Sequence, residues 1–279
     1  MTFWYTICDM LPIPWLTMDF MKHALLAVLI MGPLFGILST MVVTGRMSFF
    51  SDALGHSGFT GIAIGVLCGS ALPTLWAVIL AVAFALLFTY VRLKSTHAAE
   101  TIISVFSSTA VAMGIFIATL GGSSFTKFNR YLIGDILSVT PAELGLLGII
   151  LLLVLVLWAS AFNRLILSSV HPQLAGSRGI PVTVYETLFT VSIAVVVTLA
   201  MSWVGLMVIN SLLVLPAAAA KNISRNLRQY HLFSILGAWI AGIAGLITSY
   251  YLSSSTGAVI SLYLALYFAI TFCFRKRSQ

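Results

Sequence analysis

The sequence predicts an all-α, polytopic transmembrane helical bundle of about eight or nine spans. Three observations carry that class. The 279 residues are 60% hydrophobic and only 8% charged, where a soluble domain is about 25% charged. The apolar residues lie in continuous runs near the ~20 residues that a spanning helix needs. Strand-like alternation in segments of about ten, the mark of a membrane β-barrel, is missing. So few charges do not cover a water-facing surface of this size, which excludes a soluble enzyme, a nucleic-acid binder and a secreted disulfide scaffold. A single transmembrane domain over residues 1–279 accounts for the whole length.

Hydropathy places spans near 23–44, 52–70, 74–91, 98–120, 142–162, 183–203, 205–220, 231–252 and 256–274. The short 205–220 stretch reads either as a half-helix or as a continuation of the stretch before it. Residues 1–22 hold Trp4, Tyr5, Pro12, Pro14 and Trp15, which suits an external, interfacial segment. They lack a basic region followed by a short apolar core and a cleavage site, so no cleaved leader is expected. Pro73 suits a helix start. Thr140-Pro141-Ala142-Glu143 reads as an N-cap, a first-turn proline and a capping-box glutamate. Gly121-Gly122 ends the fourth span. The formal net charge of +7 reflects Lys and Arg on cytoplasmic connections. Arg46, Arg92, Lys94, Arg164, Arg178, Lys221, Arg225, Arg228 and the tail 275–279 fall in alternate connections; Lys22, Lys127 and Arg130 are the exceptions. With nine spans the N-terminus is outside and the C-terminus inside. Cys8, Cys68 and Cys273 form no CxxC pair, so neither a zinc site nor a disulfide framework is indicated. They are expected to be buried apolar thiols.

Asp52 and His56 stand four residues apart at the start of the second span. On a helix they share one face. Ionisable groups in a membrane segment are costly unless they face protein or a water-filled cavity. Carboxylate oxygen and imidazole nitrogen are both ligands for Zn²⁺, Mn²⁺ or Fe²⁺. The pair therefore reads as a polar pathway contact for metal, or as a structural hydrogen bond near the interface. Two ligands make a poor site alone, and a twofold dimer with this helix on its axis supplies four. Gly58, Gly61, Gly65 and Gly69 continue the helix as a small-residue stripe for close packing, or for a moving interface. Gly237, Ala241 and Gly245 form a similar stripe. Asn210, Ser211 and Pro216 read as a packed kink or as a broken, cavity-lining helix. Asp135 precedes the capped helix as a further pathway or gate candidate. The connection 163–182 mixes apolar and small residues with two prolines, fitting a docking surface or an interfacial helix. No Gly-Lys pair occurs anywhere, so there is no P-loop, and no complete catalytic set points to an enzyme.

Three ordered segments resemble the permease subunit of bacterial ABC importers for divalent metals, the ABC-3 family with zinc, manganese and iron branches. They are Gly45-Arg46-Met47-Ser48-Phe49-Phe50-Ser51-Asp52-Ala53-Leu54-Gly55-His56, Tyr131-Leu132-Ile133-Gly134-Asp135 and Leu212-Leu213-Val214-Leu215-Pro216-Ala217-Ala218. The resemblance implies a type II importer-like permease in the bacterial cytoplasmic (inner) membrane, acting as a homodimer surrounded by lipid. It implies a cytoplasmic ABC ATPase on a separate chain, docked on the coupling loop 163–182, and an extracytoplasmic metal-binding protein outside. Pro172, Leu174, Ala175, Gly179 and Ile180 match the family's coupling segment, while Gln173 replaces its acidic residue. Asp52 and His56 carry over as the metal-contacting pair. The Gly134-Asp135 form looks more like the zinc branch, so zinc is favoured as cargo, with manganese or iron next and no permanently bound cofactor. The competing expectation is an ion-coupled secondary transporter of a metal or small solute, whose inverted repeats and additional intramembrane charges are not evident.

Overall fold

The computed structural model describes residues 2–10, 14–120, 134 and 136–274. Among them are eleven α-helices and no strand. In chain order they are α1 (Thr2–Asp9), α2 (Asp19–Thr44), α3 (Phe50–Leu67), α4 (Pro73–Lys94), α5 (Ala99–Leu120), α6 (Pro141–Val170), α7 (Pro172–Ser177), α8 (Val182–Val204), α9 (Leu206–Ile223), α10 (Leu227–Leu252) and α11 (Thr256–Cys273). Eight of them, α2, α4–α6 and α8–α11, are long and apolar enough to cross a membrane. The ninth long helix, α3, has 18 residues and dilutes its apolar content with Asp52, His56 and four glycines.

Local chemistry explains the boundaries. Pro73 and Pro141 open α4 and α6. Glu143 Oε2 accepts from the Thr140 N–H at 2.7 Å, and the Glu143 N–H donates back to Thr140 Oγ1 at 3.4 Å, the reciprocal capping box. Gly205, at φ +87, separates α8 from α9 because only glycine adopts that conformation without strain. The 205–220 segment is thus a helix of its own. Three expectations need correction. The connection 163–182 is shorter than expected, because α6 continues to Val170 past Arg164, whose guanidinium reaches the Tyr185 hydroxyl at 2.7 Å. The broken-helix reading of Pro216 fails, since α9 runs unbroken through it. Of the cysteines only Cys8 is buried; Cys68 and Cys273 sit exposed at the ends of α3 and α11.

The chain divides into two compact units. The first comprises 1–40, 133–155 and 203–279. Here α9, α10 and α11 pack together, and polar pairs fasten α2 to α10: Ser39 to Ser234 at 2.9 Å, and Trp239 Nε1 to the Leu29 carbonyl at 2.9 Å. In the expected stripe, a Cβ at Gly237 would meet the Tyr267 ring and one at Gly245 would meet Ile260, so small residues let α10 approach α11. At α1, eight residues or ~12 Å are too short to span a bilayer. It lies on the first turn of α2 instead. Asp9 pairs with the buried Lys22 ammonium at 2.7 Å, and Tyr5 bonds His23. Cys8, Trp15, Leu16, Met21 and Leu246 close an apolar cluster beneath it.

The second unit comprises 41–132 and 156–202, with α3 at its centre packed on α4 and α5. The buried line of α4, Ala77, Ala81, Ala85 and Phe88, recurs at helical spacing and faces the small residues of α3. Phe50, Phe88 and Phe106 meet in sequence, the first pair tilted and the second edge-to-face, with ring centroids 4.6 and 6.0 Å apart, and fasten the start of α3 to both neighbours.

Candidate functional site

The site is built on the entry to α3. Helix α2 ends in a Schellman motif: Met47 N–H reaches the Val42 carbonyl and Arg46 N–H the Val43 carbonyl. Arg46 occupies the left-handed position, φ +54, where glycine is usual. Arg92, from the end of α4, holds this turn. Its Nη1 donates to Met47 Sδ at 2.9 Å and its Nη2 to the Gly45 carbonyl at 3.4 Å.

From Phe50 to Ala63 every residue of α3 is buried except Asp52 and His56. Their side chains retain 41% and 27% of their exposure, and His56 Nε2 lies 3.4 Å from Asp52 Oδ2. Over this stretch, before the exposed last turn at Val66 and Leu67, the helix thus opens only at its two ionisable residues. Thr60 Oγ1 donates to the Ala110 carbonyl at 2.8 Å and lies 3.0 Å from the His56 carbonyl. This ties the turn below His56 to α5 and fixes the ring's position along the helix. Among the described residues no group of three or more His, Cys, Asp or Glu converges on a metal-sized space. One chain therefore offers an oxygen and a nitrogen donor, with coordination positions left for other ligands.

The glycine stripe divides. A Cβ at Gly61 would stand 2.6 Å from Ala77 Cα, and one at Gly65 would stand 3.1 Å from Pro73 Cα, so both sit against α4. Gly58 faces Met201 on α8. Gly69 lies beyond the helix end at φ +64, with nothing near it. Asn210, Ser211 and Pro216 stand on α9 in the other compact unit. There Ser211 Oγ bonds the Met207 carbonyl at 3.0 Å and Pro216 is buried. Asp135, Tyr131, Leu132, Ile133, Gly121-Gly122 and the tail 275–279 lie outside the described residues.

The coupling segment forms α7 with Pro172 at its first position. Ala175 is fully buried, and its carbonyl accepts from the Ile180 N–H at 3.0 Å across Gly179, φ +71. Pro172, Gln173 and Leu174 are exposed beside an open depression of about 450 Å³. Sequence reasoning passed over Glu186. It is one of only seven acidic residues and stands near the start of an apolar span, a signal that intramembrane charge alone supplies. Its Oε2 and the hydroxyl of Ser168 are buried without a hydrogen-bond partner among the described residues.

Fold and site together define a multi-spanning α-helical membrane protein with an ionisable pair on a buried helix. Residues 17–275 match the ABC 3 transport family, and the chain belongs to that family. It is similar to the manganese import system permease protein ScaB of Streptococcus parasanguinis, 30% identical over 91% of this chain and 90% of that protein. It is 25% identical to the high-affinity zinc uptake system membrane protein ZnuB of Haemophilus influenzae, over 91% and 97%. Among solved structures, PsaBC from Streptococcus pneumoniae in complex with Fab superposes with a TM-score of 0.78 at 26% identity, covering 98% of this chain and 95% of that one.

Proposed function

We propose that this chain is the permease of an ATP-driven importer that moves a divalent metal ion past Asp52 and His56. The carrying observation is that these two residues alone reach the surface along the buried stretch of α3. A carboxylate and an imidazole exposed at membrane depth demand a polar occupant or a polar lining. Their donor set binds first-row divalent ions, while two ligands per chain keep the affinity low enough for release. A second copy of the chain completes four ligands by placing its own α3 against the first. Membership of the ABC 3 transport family supports ATP as the energy source, and it supports a separate ATPase docked on α7 around Leu174. A metal-binding protein delivers the ion from outside. Zinc is the first cargo expected, with manganese and iron next; relatives named for manganese and for zinc both match over nine-tenths of the chain. The alternate distribution of basic connections supports an orientation in the cytoplasmic membrane with the N-terminus outside and the C-terminus inside.

The test is metal-resolved uptake in cells with and without this chain, measured separately with zinc, manganese and iron salts. Uptake of at least one ion should depend on the chain. Equal uptake of all three with and without it contradicts the reading.

A further inference from the structure

Below the entry to α3 lies a small cavity of about 20 Å³, room for about one water molecule. Its walls come from elements far apart in sequence. Met47 stands in the turn before α3, and Arg92 at the end of α4. Ser168 is near the end of α6, with Tyr185 and Glu186 in the first turns of α8. Helices α6 and α8 are the two that lead into and out of α7, the segment on which the ATPase docks. The cavity is therefore walled by the two helices that flank α7 in the chain and by the turn that leads into α3.

Two polar groups on the α6 and α8 side of this cavity, Glu186 Oε2 and Ser168 Oγ, are buried without a hydrogen-bond partner among the described residues. Arg92 is within electrostatic reach of Glu186. Its guanidinium nevertheless spends two donors on Met47 Sδ and the Gly45 carbonyl. A thioether is a poor partner for a cation, and 3.4 Å is a long hydrogen bond. A carboxylate is the better partner for a guanidinium. Two arrangements thus compete for one guanidinium across a space one water wide.

We propose that Arg92 and Glu186 are positioning residues that couple α7 to α3. In one arrangement, that of this structure, Arg92 clamps the 45–47 turn. In the other, displacement of α7 carries Glu186 on the first turns of α8 into contact with Arg92. The guanidinium leaves Gly45 and Met47, and the turn that sets the angle of α3 is released. The Schellman turn is suited to this role, because Arg46 holds it in a left-handed conformation that is unfavourable for a side-chain-bearing residue. The inference rests on the reading of this chain as an ATP-driven permease with its ATPase on α7.

The experiment is to reconstitute the chain with its ATPase subunit in liposomes, supply the metal-binding protein that delivers the ion, and measure metal ions moved per ATP hydrolysed, with zinc, manganese and iron. Wild type, Glu186→Gln and Glu186→Asp are compared. Glutamine matches glutamate in shape, and Glu186 Oε2 has no hydrogen bond to lose among the described residues. For Glu186→Gln, ATP hydrolysis should stay within about twofold of wild type, while ions per ATP fall at least about fivefold, the lower end of ordinary coupling between sites. Glu186→Asp, which keeps the charge, should retain most of the ratio. A wild-type ratio in Glu186→Gln overturns the proposal, as does an equal loss of hydrolysis and transport, which marks a role in assembly only. Absence of ATP-dependent metal flux in the wild type itself overturns the permease reading, and this inference falls with it.

Discussion

Asp52 Oδ2 lies 3.4 Å from His56 Nε2 across one turn of α3, and no other residue from Phe50 to Ala63 escapes burial. The two side chains stand close enough on one face to contact a single ion, as the proposed pathway requires. The burial around them leaves little freedom for the helix backbone that carries them. Replacing either by alanine should weaken zinc or manganese binding to the purified permease by at least about 10–100-fold, the loss typical of disturbing even an outer-shell partner. Both side chains are partly exposed, so thermal stability should change by no more than about 0.5 kcal/mol. Calorimetric titration with each metal, beside a melting curve in detergent, checks both statements.

Gly61 marks the closest approach of α3 to α4. A methyl group there would stand 2.6 Å from Ala77 Cα and 2.7 Å from the Trp76 carbonyl, and backbone does not yield as a flexible side chain does. Gly61→Ala should destabilise the protein by about 1–3 kcal/mol, as overpacking does. A Cβ added to Gly148, on α6, would meet nothing within 4 Å, so Gly148→Ala should stabilise by about 0.5–1 kcal/mol through the backbone alone. Thermal unfolding of the two variants should move in opposite directions. A shared direction contradicts this packing.

Arg46 adopts φ +54 at the end of α2. Left-handed backbone costs a side-chain-bearing residue roughly 1–2 kcal/mol. Arg46→Gly should therefore raise the unfolding midpoint, with a gain of about 1 kcal/mol. A lowered midpoint shows that the arginine makes contacts worth more than the strain.

Leu174 is 44% exposed on α7, next to the fully buried Ala175. An apolar side chain held to solvent on an anchored helix has the character of an interface anchor. Leu174→Glu should leave the melting temperature of the permease unchanged. It should weaken capture of the ATPase subunit by about 2 kcal/mol, the scale of an interface hot spot. Co-purification at a series of ATPase concentrations reads the difference.

Much of this was legible in the sequence because it is local. A four-residue interval puts Asp52 and His56 on one face of any helix. Thr140 and Glu143 lie within reach of each other as soon as α6 begins. Pro73 and Pro141 announce helix starts by their missing N–H. What was not legible depends on partners distant in the chain. Hydropathy ends the fifth span near Asn163, yet α6 continues to Val170, with Leu165 and Ser168 buried and Arg164 bonded to Tyr185, 21 residues on. Pro216 reads as a packed kink or as a break, and α9 runs unbroken through it with the proline buried. Nothing in the residues flanking Arg92 or Glu186 says that these two distant positions wall one cavity. The two-sided character of the small-residue stripe was also hidden. Gly61 and Gly65 meet α4 while Gly58 meets α8, and a one-dimensional spacing does not distinguish one helix neighbour from another.

The central claim is that the transported ion passes Asp52 and His56. Its most direct test is ATP-driven flux of radioactive zinc and manganese into liposomes holding the complete transporter, comparing wild type with His56→Ala at equal protein and equal ATPase content. Flux of the transported metal should fall to the level of liposomes without ATP while the ATPase stays bound. Full flux through His56→Ala would place the pathway elsewhere in the molecule.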